Sequence, residues 1–442
     1  MYLIPRLEKK WAPLLDSDKL PKIRDAYRRA VTGVVLENCE VTYASEGGGE
    51  LVQRTPQQLR EAAAANASGA FPDATNLKGP EPVLIPMLRR ALPQMIAFDV
   101  VGVQPLNGPV GLIFALKARA TSQGGSEILF DEADTRFSTN EPSASGAGFT
   151  NAAPVPQADL DVYKAHAAMA TADGEALGTG SPAAEFSQVA FSIDKVTVTA
   201  KTRALKAEYT RELQQDMMAS HGLDARAELA NILSQETLFE INREVIRTIY
   251  NNAKTGAQND VTAAGIFDLD TDSDGRWMIE RFQGLRFQID REANAILLDA
   301  RRGRGNFVFA SADVCSALSA AKFLDSDAAA NDLYTSEGGN GTFVGTLNGG
   351  MKVFLDPYVT TGTNYFVVGY KGQSAWDAGL FYCPYVPLQM MEAIGPNDFQ
   401  PRIAYKTRYG LVSNPYANAA GTGALTFNAN KYYRRVQVNN LM

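Results

Sequence analysis

Imidazole chemistry has little to draw on in this 442-residue chain, because histidine occurs only at His166 and His221. A Ser-His-Asp arrangement would need one of those two, and no H-E-x-x-H zinc pair is present. His166 lies in an alanine-rich polar stretch, and His221 precedes Gly222 at a helix break, so both read as structural residues. The three cysteines, Cys39, Cys315 and Cys383, are far apart and form no C-x-x-C pair. That spacing suits a reducing compartment and argues against a disulfide framework or a structural zinc.

The densest carboxylate group is Asp268-Leu-Asp-Thr-Asp-Ser-Asp-Gly275. Laid on the calcium-loop pattern, Asp270, Asp272, Asp274 and Gly275 fall on positions 1, 3, 5 and 6, but Arg281 occupies position 12. A bidentate Glu is needed there, and Glu280 comes one residue early. The better reading is an acidic cluster complementing the positive end of a helix that starts near Trp277. Gly338-Gly-Asn-Gly341 is not followed by G-K-[ST] and reads as a turn, not a phosphate cradle. Arg301-Arg302-Gly303-Arg304 ends a helix, where cations are favoured, and suits a solvated or intersubunit role better than a DNA site. These residues give no catalytic, cofactor-binding or metal-ligating set, so no cofactor is expected.

The elements that would position any site are clearer. Trp11, Leu14, Leu15, Leu20, Ile23, Tyr27, Val31 and Val34 recur at roughly helical spacing within a separable segment, residues 1–61. Residues 62–79 are rich in Ala and Gly, with little to bury, and read as an arm. Residues 112–205 read as a long two-stranded excursion around a loose Gly/Ser/Ala/Asn/Pro-rich loop. In it, Phe191, Ile193, Val196 and Val198 suggest a strand with one covered face. Such a hairpin is poorly stable alone and should rest on a neighbour. The strongest helix spans about Asp224 to Tyr250, ~40 Å long, with an apolar stripe running from Leu229 to Ile249. A second spans about Trp277 to Arg302, ended by Gly303 and Gly305. Beyond it lie a buried strand at Phe307, Ser311 as N-cap of a helix through Phe323, and strands at Met351–Leu355 and Tyr365–Tyr370. The class is α+β.

Length and bulk composition agree with a folded chain of two or three domains. Hydrophobic residues make up 45% and charged residues 21%, ordinary values for a globular protein. No apolar run reaches the ~20 residues that cross a bilayer, and the opening residues carry charge where a signal peptide would be apolar. The net charge of −7 opposes a phosphate-binding role, since nucleic-acid binders carry a basic excess.

Many short strings, in collinear order, resemble the major head proteins of T-even phages. Among them are Lys10-Trp-Ala-Pro-Leu-Leu15, Met87-Leu-Arg-Arg-Ala-Leu-Pro-Gln94 and Val101-Gly-Val-Gln-Pro-Leu-Asn-Gly-Pro109. Others are Val368-Gly-Tyr-Lys-Gly372, Asp377-Ala-Gly-Leu-Phe-Tyr382 and Lys406-Thr-Arg-Tyr-Gly410. The resemblance implies a Hong Kong 97-like capsid fold that self-assembles into hexameric capsomers of an icosahedral or prolate head. Residues 1–61 would be an assembly segment and 62–95 an N-terminal arm. Residues 96–111, 206–305 and 387–442 would form a peripheral domain with a spine helix at 224–252. Residues 112–205 would be the extended loop and 306–386 the axial domain. The extra domain that T-even proteins insert near the extended loop is not expected, because that region is shorter here. The family is also processed after Leu/Ile-x-Glu, which places a protease site at Leu59, Glu61 and Ala62. Implied partners are further copies of the chain, a scaffold or core protein, a prohead protease, vertex and portal proteins, and decoration proteins. The shell would enclose DNA without reading its sequence, in the virion and not in a membrane. An encapsulin-like bacterial shell is the structural alternative, and a metal-dependent cytoplasmic hydrolase built on residues 268–275 is the alternative from another class.

Overall fold

The computed structural model describes residues 7, 10–12, 15–16, 23, 25–46, 95–129, 137–138, 169, 171–178, 186–273, 275, 277–325, 342–347, 349–359, 362–395, 397–418 and 423–441. Helix α1 (Ala26–Glu46) comes first, followed by α2 (Ala97–Val100) and strands β1 (Gly102–Val103) and β2 (Val110–Ala120). A short α3 (Thr171–Glu175) precedes β3 (Val189–Thr199) and β4 (Lys201–Glu208). Helices α4 (Arg211–His221) and α5 (Ala225–Asn252) lead to β5 (Ala253–Thr255), β6 (Ile266–Asp268) and α6 (Met278–Ala300). The remainder is β7 (Phe307–Ser311), α7 (Ala312–Ala320) and seven further strands. These are β8 (Leu324–Asp325), β9 (Thr342–Leu347), β10 (Met351–Asp356), β11 (Asn364–Gly369), β12 (Leu380–Ile394), β13 (Pro401–Ser413) and β14 (Asn430–Asn439).

The chain divides into two units. The larger comprises residues 1–112, 197–299 and 303–442, and the smaller comprises 113–196 with 300–302. The larger unit holds two sheets. One has the order β1-β12-β13-β4, and the other runs β5-β14-β11-β7-β10-β9-β8 with β6 beside β14. In the second sheet β7 and β10 are parallel, setting Phe309 beside Phe354, while β11 pairs antiparallel with both β7 and β14. Strand β7 is buried along its whole length, as expected of a strand covered on both faces. Gly349 and Gly350 make the turn before β10 with φ of 129° and 83°, a region L side chains avoid.

The α+β class and the main helices agree with the sequence pattern. Asp224 is the N-cap of α5, and its carboxylate accepts from the Arg226 N–H at 3.1 Å. One edge of this helix is tied to each sheet. Arg203 of β4 reaches Glu240 and Glu244 at 3.0 and 2.6 Å, and Arg243 reaches Asp356 of β10 at 2.6 Å. Asp356 is almost fully buried. Burial pushes its carboxyl up, but donation from Arg243, the Tyr365 hydroxyl and the Tyr358 N–H outweighs that and holds the pKa below its ordinary value.

Two local expectations change. Ser311 stands at the N-cap of α7, but its hydroxyl bonds to Asn364 Oδ1 instead of the helix. Helix α6 is terminated by Arg301, which takes a left-handed φ of 52°, while Gly303 and Gly305 serve close packing. A Cβ on Gly303 would meet the Tyr370 ring at 2.2 Å, and one on Gly305 would meet Ala293 at 3.2 Å. Strand β14 pairs antiparallel with β11 within the eight-stranded sheet.

Candidate assembly interface

The smaller unit is built on the two-stranded β2–β3 sheet. The Thr121 N–H donates to the Gln188 carbonyl at 2.8 Å and that of Ala200 to Pro109 at 2.9 Å, so the strands run antiparallel. In such a ribbon, alternate side chains take opposite faces. On one face Ile113, Ala115 and Val196 are buried. Lys117 shares that face, nearly buried and paired with Asp194 at 2.9 Å, and Arg119 donates to Ser192 at 3.0 Å. The opposite face carries Phe114 (61% exposed), Leu116, Phe191 (64% exposed) and Ile193 (66% exposed). The usual arrangement is partly reversed: Lys117 is buried and its partner Asp194 half-buried, while the aromatic residues face outward beside the exposed Lys195.

This corrects the expected strand. Phe191 and Ile193 have one parity and Val196 and Val198 the other, so they cannot share a covered face. Only the two valines are buried. A contiguous apolar face of this kind marks an interaction surface, whereas scattered single apolar residues do not.

The candidate chemistry disperses into structural contacts. Asp268 accepts from Asn440 at 2.9 and 3.0 Å, Asp270 pairs with Arg281 at 2.6 Å, and Asp272 accepts from Thr262 at 2.7 Å. The helix-capping role expected of the cluster falls instead to Glu280, whose carboxylate accepts from the Trp277 N–H at 3.2 Å. Among the described residues no group of three His, Cys, Asp or Glu side chains is placed to hold a metal. His221 is exposed at the end of α4, ahead of Gly222 with φ 66°, while His166 lies outside the described residues. Cys315 and Cys383 are buried thiols pushed up to about 12 by burial, too protonated for nucleophilic work. The side chain of Cys39, the 338–341 turn and the site at Leu59, Glu61 and Ala62 also lie outside the described residues. Arg304 is engaged by Asp290 at 2.7 Å.

Sequence patterning gave no hint of how the N-terminal segment is used. Trp11, Leu15 and Leu36 are buried in one cluster with Ala225, Ala230 and Leu233 of α5 and Ile403 and Tyr405 of β13. Prolines 384 and 387 interrupt the pairing of β12, which shifts register on both sides of Val386. The Tyr385 carbonyl left over there accepts from Asn38 Nδ2 at 3.0 Å, and the Leu106 carbonyl accepts from the same amide at 2.9 Å.

A family model described as "Major capsid protein Gp23" matches residues 78–438. The chain belongs to the Gp23 major capsid protein family. A major capsid protein of Serratia phage KSP90 is 39% identical over 387 residues, covering 82% of this chain and 85% of that one. The major capsid protein of Enterobacteria phage T4 is 32% identical over 98% of each chain. The T4 capsid vertex protein is 28% identical over 53% of this chain and 55% of its own length. Solved structures to which the chain is similar include the capsid of Myoviridae phage XM1, at TM-score 0.37 and 10% identity over 78% of this chain and 92% of that one. A Mycobacterium phage Bobi chain has TM-score 0.40 and 9% identity over 78% and 91%. Gp23 membership gives the outward aromatic face its context, because a shell subunit must present surfaces to copies of itself.

Proposed function

We propose that this Gp23-family chain is the main building subunit of a tailed-phage head shell. It acts by packing against copies of itself and not by catalysis. The observation that carries this reading is the open apolar face of the β2–β3 ribbon. A subunit in solution gains nothing from exposing Phe114 and Phe191, whereas one laid on a neighbour removes them from water. Burying a large apolar side chain contributes roughly 1.5–3 kcal/mol. Many such contacts, each weak, become strong when they close a lattice.

In this reading the subunits form hexameric capsomers with a Hong Kong 97-like plan. Residues 112–205 are the extended loop, α5 is the spine of a peripheral domain, and 306–386 supplies the axial domain. Residues 62–95 form the arm. A protease removes residues 1–61 after Glu61, and the chain works with scaffold, portal, vertex and decoration proteins. The likeness to a capsid vertex protein supports a shell in which a related chain takes the vertices. Mixed-sign charges over a net −7 suit a wall beside DNA that it should not adsorb.

The test is a Phe114→Asp, Phe191→Asp double variant expressed with the other head proteins. Loss of particles with a soluble, folded subunit supports the reading. Normal particle yield from the double variant overturns the role of the ribbon.

A further inference from the structure

The N-terminal segment is built as a ligand of the rest of the larger unit. It is braced within itself: Trp11 Nε1 and Lys10 Nζ both donate to Glu37, at 3.0 and 2.8 Å, and Arg29 grips Asp16 with two bonds of 2.7 and 2.9 Å. It therefore presents one preformed surface. That surface is apolar where Trp11, Leu15 and Leu36 meet Leu233, Ile403 and Tyr405. Val35 closes an apolar cavity against Ile241, Tyr382 and Pro384. The rim is polar and specific. Arg28 pairs with Asp99 at 2.6 Å, the Tyr27 hydroxyl donates to the Val103 carbonyl, and Asn38 donates to the Tyr385 carbonyl left by the β12 irregularity and to the Leu106 carbonyl. An aromatic anchor in a closed pocket, ringed by directed polar contacts, is how a groove recognises an amphipathic helix.

We propose that the body of the larger unit, residues 95–112, 197–299 and 303–441, carries a helix-receiving groove whose occupant is this chain's own segment 10–46. The groove holds the segment by these contacts and not by the covalent connection. Cutting the backbone between residues 46 and 95 leaves the segment seated. Its departure requires the groove itself to open, through movement of β12 and β13 against α5. The inference goes beyond the assembly reading and does not depend on the ribbon or on natural processing at Glu61.

The experiment uses the full chain with a recognition sequence for a specific protease placed at residues 50–55. After complete cleavage, native size-exclusion chromatography and intact mass follow both pieces. The N-terminal fragment should co-elute with the body, with the far-UV spectrum unchanged. Truncating an anchor, Trp11→Ala or Leu36→Ala, in the cut protein should speed fragment loss roughly tenfold or more, and Leu36→Met much less. A fragment that separates on cutting, whether the body stays folded or aggregates, overturns the proposal. A retained fragment that is indifferent to both anchor truncations also overturns it, because retention would then not run through the groove. Assembly defects of Phe114 and Phe191 variants report on the ribbon alone, so the two readings fail independently.

Discussion

The β2–β3 ribbon and the N-terminal segment are both amphipathic, and they resolve that property in opposite ways. The segment turns Trp11, Leu15, Val31, Val35 and Leu36 into its own chain and leaves none of them exposed. The ribbon directs Phe114, Phe191 and Ile193 outward and buries Lys117 against Asp194. A folded subunit satisfies the first surface by itself. The second has no such outlet in its own unit, where the covered face is already filled. Amphipathic pattern alone therefore reports that a surface needs a partner, and the geometry reports whether the partner is the same chain or another one.

The largest effect expected from this contrast is on assembly. Phe114→Asp with Phe191→Asp should reduce particle formation by orders of magnitude while shifting thermal unfolding of the isolated subunit by no more than a degree or two, since exposed substitutions cost within about 0.5 kcal/mol. Calorimetry and particle counting on the same preparation would check it. Strong destabilisation of the lone subunit would mean that the ribbon's open face is covered within the chain.

The mirror experiment is Trp11→Ala. Removing a buried indole should cost about 3–5 kcal/mol by denaturant titration, and should do so in the unassembled subunit. A third step isolates polar recognition: Asn38→Ala leaves the Leu106 and Tyr385 carbonyls without their amide donor, at roughly 1–3 kcal/mol. If Asn38→Ala is neutral while Trp11→Ala is severe, the groove works by apolar contact alone.

How much of this could be read in advance depended on range. Helices α5 and α6 were legible because their stripes repeat within a few residues. The long pairing of β12 with β13 was not, because Pro384 and Pro387 argue against a strand and only distant partners override them. Helix α4 went unread for a different reason: none of its residues is fully buried, and only Met217 packs partly against the core. The ribbon was legible as a hairpin, but grouping Phe191 with Val196 ignored strand parity and hid the open face. The acidic loop shows the limit on site reading. Spacing brought its carboxylates together, but the partners that occupy them, Asn440, Thr262 and Arg281, lie up to 172 residues away.

The smallest expected effect tests how wet the seam under α1 is. A polar cavity of about 360 Å³ lies there, walled by Asp25, Tyr27 and Arg28 on one side and by Asp99, Asn306, Lys352 and Lys371 on the other. Lys371 donates to the Phe98 carbonyl. Burial pushes it down from 10.5 to about 8, Asp99 and Asp25 pull it up, and Arg28 and Lys352 push it down. Because the folded value lies below the unfolded one, the unfolded chain binds more protons between about pH 8 and 10. Lys371 therefore adds stability as pH rises through that window, and its charge weakens the fold below it. The buried thiols Cys315 and Cys383, raised from 9.0 to about 12, act in the opposite sense from about pH 9 upward, so the upper part of the raw stability curve mixes both. The difference between the parent and Lys371→Met separates them. It should change by about 2 kcal/mol in favour of the parent from pH 7.5 to 10. A flat difference would mean that water in the cavity already solvates the ammonium, and that this end of the covered surface is as open to solvent as the ribbon.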